Sequence, residues 1–122
     1  MPIFNMVTGG SGAEVKTATY TLSSSNTSTI VFSGVSKKPK ACWVVLTNTG
    51  SYSTRNNGVT SVVCGSSSGN PIFTYIDSGS FQTKTGSSSN VYIYGNGLTF
   101  STSGVDYYLY FALGTWTLYY IE

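Results

Sequence analysis

Histidine is absent from the 122-residue sequence, and its acidic side chains are four: Glu14, Asp77, Asp106 and Glu122. Without an imidazole the commonest general base is missing, and with it the Ser-His and Cys-His nucleophile pairs. Glycoside hydrolysis needs two carboxyl groups facing one sugar bond, and only Asp77 and Asp106 lie in the body of the chain. Two cysteines, Cys42 and Cys64, fall short of a four-ligand zinc site, and no Asp-rich loop offers a calcium cage. Residues 65–70 (GSSSGN) lack the lysine and following helix of a phosphate-binding loop. These side chains predict a protein that is not an enzyme and needs no metal or cofactor. The cysteines lie in the apolar runs ACWVVL and VTSVVC. Two reduced core thiols are expected there, with a bridge between neighbouring strands as the alternative.

Binding chemistry is better represented. The basic turn SKKPK carries Lys37, Lys38 and Lys40, cations suited to phosphate-bearing polymers or acidic glycans. The bland reading is that these lysines supply solubility and guard an apolar strand against edge pairing. The loop 49–58 brings Tyr52, Arg55, Asn56 and Asn57, an aromatic face with planar donors and acceptors of the kind that meet sugar hydroxyls, although such residues are also ordinary loop formers. The Ser-rich segments GSSSGN and TGSSSN read as adaptable polar tips or plain spacers.

The elements that position these residues follow from composition and period. Charged residues make up 8% of the chain, against roughly 25% in an average soluble protein. Aromatics reach 15%, which separates the sequence from disordered chains of low charge. A net charge of +2 is too small to neutralise several phosphates, so nucleic acid is not an expected partner. No apolar run reaches the ~20 residues of a spanning helix, and no basic-then-apolar leader opens the sequence. A cytoplasmic origin without membrane association is expected.

Residues 1–13 place Ile3, Phe4, Met6 and Val7 ahead of Gly9, Gly10 and Gly12, an apolar tip on a flexible hinge. It reads as a docking arm, or as a frayed terminus or edge strand. From residue 14 to 122 the pattern is one all-β domain, an antiparallel sandwich of eight to ten short strands without significant helix. The strands are expected near 14–22, 28–33, 40–48, 59–64, 71–76, 80–85, 90–95, 98–102, 105–113 and 115–121. Asn96-Gly97 suits a type I′ turn closing the hairpin between VYIY and LTFST.

Alternation in 41–46 puts Ala41, Trp43 and Val45 on one side and Cys42, Val44 and Leu46 on the other, so both faces are apolar. Residues 105–121 repeat the theme. In a two-layer sandwich one face per strand is covered, so the second faces need another cover. Tyrosine tolerates a half-wet site, and a homo-oligomer is expected with Tyr108, Tyr110, Tyr119 and Tyr120 at its interface. The alternative is one oversized core with tyrosine hydroxyls at its rim.

The opening MPIFNMVTGGSG, the block STIVFSGVSKKPKACWVVLT and the late GLTFSTSGVDYYLYFAL resemble small β-rich virion proteins of tailed bacteriophages, encoded among tail or fibre genes. The resemblance spans nearly the whole chain as a pattern. It implies a fibre, tail-tip or capsid-decorating domain, docked to other virion proteins through residues 1–13 and located in the virion, with a host surface glycan as a possible ligand. The order of elements is also similar to the H-type lectin sandwich, which implies a trimer with sugar sites near subunit junctions. A jelly-roll or H-type-lectin-like sandwich is the fold expected on these likenesses.

Overall fold

The computed structural model describes residues 14–23, 27–49, 58–65, 69–106 and 109–122. Its strands are β1 (Lys16–Leu22), β2 (Thr29–Ser33), β3 (Ala41–Thr49), β4 (Gly58–Cys64), β5 (Ile72–Asp77), β6 (Ser80–Thr85), β7 (Val91–Tyr94), β8 (Gly97–Ser101), β9 (Tyr110–Phe111) and β10 (Gly114–Ile121). One 3-10 turn, Ser88–Asn90, precedes β7. The larger sheet runs β1-β10-β3-β4-β5-β6, with β9 added alongside β4, and the smaller runs β2-β8-β7. Every pairing is antiparallel except β4 with β9. The expected all-β antiparallel sandwich is what forms.

Period-2 alternation explains the core. Trp116 and Leu118 of β10, Val44 of β3, Val62 of β4 and Phe73 of β5 face inward from the large sheet and are fully buried. Ile30 and Phe32 of β2 and Leu98 and Phe100 of β8 meet them from the small one. Edge-to-face ring contacts tie strands together: Phe32 and Phe100 at 5.9 Å within the small sheet, Phe111 and Trp116 at 5.4 Å within the large one, and Tyr20 of β1 against Phe32 of β2 at 6.3 Å between the two layers. The Trp116 indole donates to the Ala112 carbonyl at 2.9 Å, so its one polar atom is satisfied in the core.

Two expectations are corrected. Among the described residues of the strand expected over 105–113, only Tyr110 and Phe111 of β9 are extended, because the chain there crosses between partners. Phe111 N–H donates to Thr27 O, and Ala112 N–H donates to Val59 O. Alternation then fails: Phe111, Ala112 and Leu113 are buried in succession. The β7–β8 hairpin turns one residue earlier than expected, with Tyr94 opposite Gly97 and Gly95-Asn96 between them. Gly95 has φ 60° while Asn96 is not left-handed, the dihedral pattern of a type II′ turn. Gly97 is instead a strand residue under β2: a Cβ there would lie 2.6 Å from Val31 Cγ1. The β5–β6 hairpin has the type I′ pattern, with Ser78 at φ 51° and Gly79 at φ 84°.

Candidate functional site

The outer face of the large sheet, away from β2, β7 and β8, is built by every second residue of six strands. Register aligns one row straight across it. Thr17 pairs with Tyr119, Tyr119 with Trp43, Trp43 with Val63, Val63 with Ile72, and Ile72 with Thr85. Four consecutive members of that row are apolar or aromatic. Trp43, Val63 and Ile72 keep 48%, 44% and 45% of their surfaces in water, unusual for large apolar side chains in adjoining positions. The Trp43 and Tyr119 rings lie 5.7 Å apart at 32°.

Beside this row run hydroxyls. Thr19, Thr117, Val45, Ser61, Thr74 and Thr83 form the next row. Thr47 Oγ1 stands 2.8 Å from Thr117 Oγ1 and also donates to Thr115 O at 3.2 Å, while Thr21 and Thr115 hydroxyls approach at 3.4 Å. Neither row carries a charge. At the end of the apolar row, Val15, Ala41, Trp43, Tyr119 and Ile121 line a shallow hollow of about 240 Å³ with an apolar wall.

The candidate residues fall into distinct places. Tyr119 is on the outer face. Tyr120, its neighbour, necessarily points to the other side, where it is half-buried against the core margin opposite Cys42. Tyr110 is half-buried in β9 and engaged. Tyr108 lies outside the described residues, as do Tyr52, Arg55, Asn56, Asn57, Ile3, Phe4, Met6 and Val7. Lys37 is exposed, and Lys38 is half-buried beside the cysteine pair, where its ammonium favours the thiolate of each. The lysine turn enters β3 at Ala41, whereas segment 50–57 departs after Thr49. The two sets are thus attached at opposite ends of a nine-residue strand.

No family model matches this chain, and no curated protein or solved structure matches it.

The acidic groups are dispersed. Asp77 sits in the β5–β6 turn, where it accepts from Ser78 Oγ at 3.2 Å, and Asp106 lies 3.7 Å from the Lys84 ammonium. Lys16 and Glu122 pair at 2.8 Å at the sheet edge. Each raises or lowers its partner accordingly: the hydrogen bond and charge of Glu122 lift the Lys16 pKa, and those of Lys16 depress that of Glu122, helped by Lys37. Among the described residues no three His, Cys, Asp or Glu side chains cluster as a metal site would require.

Trp43 was marked in sequence by the two apolar faces of residues 41–46. Val63 and Ile72 each stand beside a second apolar residue, Val62 and Phe73, which marks two short apolar runs but no common surface. Only the pairing of β3 with β4 and β4 with β5 lines them up with Trp43.

Proposed function

We propose that this chain is a non-enzymatic structural domain of a bacteriophage particle, a fibre, tail-tip or capsid-decorating element that packs against copies of itself. The observation that carries the packing part is the uncharged outer face of the large sheet, crossed by Tyr119, Trp43, Val63 and Ile72. A solvent-facing sheet ordinarily displays charged and polar residues outward. Here the outward residues are hydroxyl-bearing and apolar, the composition of a surface covered in its working state. The particle part of the reading is supported by the residue pattern of the opening, the lysine turn and the late Tyr-rich segment. Attachment to other virion proteins is assigned to Ile3, Phe4, Met6 and Val7, and display to the loops at the ends of the sandwich.

Mass spectrometry of purified particles from a lysate that encodes this chain tests the reading. The protein should be present at a stoichiometry of several copies per particle. Its presence only in the soluble lysate would overturn the assignment.

A further inference from the structure

We infer that the outer face of the large sheet is covered by the same face of a second copy of this chain, centred on Trp43. The inference deepens the self-packing part of the proposal above and does not depend on the particle.

Chemistry selects the occupant. A face bearing lysines or carboxylates repels its own copy, whereas threonine and serine hydroxyls both donate and accept, so two such faces satisfy one another in either orientation. The two central rows contain no ammonium or carboxylate to attract a charged partner. The flanking edges direct association to the face. Lys16 stands on edge strand β1 and Lys84 on edge strand β6, where a cation opposes addition of a further strand.

Size is also adequate. Six strands at about 4.8 Å spacing make a face about 24 Å wide, and residues 41–47 span about 20 Å, roughly 500 Å² per copy and about 1,000 Å² for a pair. That reaches the lower bound of about 1,000 Å² for a specific interface, and it includes Phe81, 70% exposed on the outer side of β6. Trp43 is the natural anchor, because buried tryptophans at the centre of such patches carry a disproportionate share of binding. The two layers would then stack at the ~10 Å separation of packed sheets.

The test is solution mass by sedimentation, combined with tryptophan emission across dilution. Trp116 is fully buried within the subunit, so any shift on dissociation reports Trp43. The wild-type protein should sediment above the mass of one chain at micromolar concentration and red-shift on dilution. Trp43→Thr with Val63→Thr should weaken association roughly thirty-fold or more, the size of a hot-spot loss. Thr19→Glu, at an exposed β1 position of the hydroxyl row, should do the same through a charge alone, with an unchanged melting transition in dilute solution. A monomeric wild type overturns the inference. So does an oligomer that tolerates all three substitutions. A monomer whose Trp43 emission red-shifts only after deletion of residues 1–13 would also overturn it, since the chain's own N-terminal segment would then be the cover.

Discussion

Cys42 of β3 and Cys64 of β4 stand directly opposite one another as free, buried thiols. Directly opposed antiparallel residues have Cα atoms about 4.5–5.5 Å apart, within the ~4.4–6.8 Å range that a disulfide accepts. Hydrogen bonding to the Cys64 thiol, and then burial, raises the pKa of Cys42, against a smaller opposing pull from the Lys38 ammonium. The two thiols titrate as one pair. Glutathione disulfide should be attacked by the thiolate of one cysteine, and the other should then displace glutathione to close the bridge. The product is expected to lose two hydrogens by mass and to resist alkylation after denaturation. Closure should stabilise the fold by about 3 kcal/mol, because the chain between the two residues forms a loop of moderate length. Two alkylated thiols after treatment would refute the prediction.

Asn90, buried at the end of the 3-10 turn, holds two segments together. Its Nδ2 donates to Ser101 O at 2.9 Å and to Ser103 O at 2.8 Å, and its Oδ1 accepts from Ser87 N at 2.8 Å. Asn90→Ala strands all three backbone groups, and a loss of about 2–3 kcal/mol is expected from the urea midpoint at constant slope. Asn90→Asp should be at least as damaging, since a carboxylate cannot donate to the two carbonyls. An aspartate variant as stable as wild type would contradict this account.

Thr99 is buried in β8, and its hydroxyl has no hydrogen-bond partner among the described residues. Removing a hydroxyl that gains nothing in the folded state relieves its desolvation penalty. Thr99→Val should stabilise the domain by about 1 kcal/mol. Thr102 is the control: its Oγ1 donates to Leu109 O at 2.7 Å, so Thr102→Val should destabilise by about 1–2 kcal/mol. Opposite signs in chemical denaturation are the expected result, and a destabilised Thr99→Val would show that its hydroxyl has a partner.

The Lys16–Glu122 pair makes stability depend weakly on pH at both extremes. The Glu122 pKa is depressed below its ordinary 4.5, so its contribution is present above that value and lost as pH falls through the folded value. The Lys16 pKa is raised above 10.5, so its contribution is complete below that value and lost as pH rises through the folded one. Both groups are exposed and screened by solvent, so the effect is small. The melting-temperature difference between wild type and Glu122→Gln should be constant from about pH 6 to pH 9 and vanish at both ends. A difference that grows in acid would reverse the sign of the argument.

The strands themselves were legible along the chain. Alternation in residues such as Ile30, Val31 and Phe32, with glycine, proline and asparagine between the runs, is local information, and nine of the ten expected strands formed close to their anticipated bounds. The same local pattern exposed the double apolar character of β3. Turn placement was less legible where two dipeptides competed. Gly95-Asn96 and Asn96-Gly97 both suit a tight hairpin, and the choice falls to the contact between Gly97 and Val31, 66 positions apart in the chain.

Pairing belongs to the assembled fold. Nothing near Cys42 specifies that Cys64 will oppose it, and nothing near Trp43 specifies Val63 and Ile72 as its neighbours. Those relations depend on which strands lie side by side and in what register, and both are chosen by burying the whole inward set at once. Residues 105–113 show the converse. Their alternation was genuine, yet the backbone of Phe111 and Ala112 found partners in Thr27 and Val59, and those long-range hydrogen bonds outweighed the local pattern. Side-chain period thus sets which residues can share a face, because it is written into successive positions. The uncharged face around Trp43 exists only because distant strands align, and packing of the common core imposes that alignment.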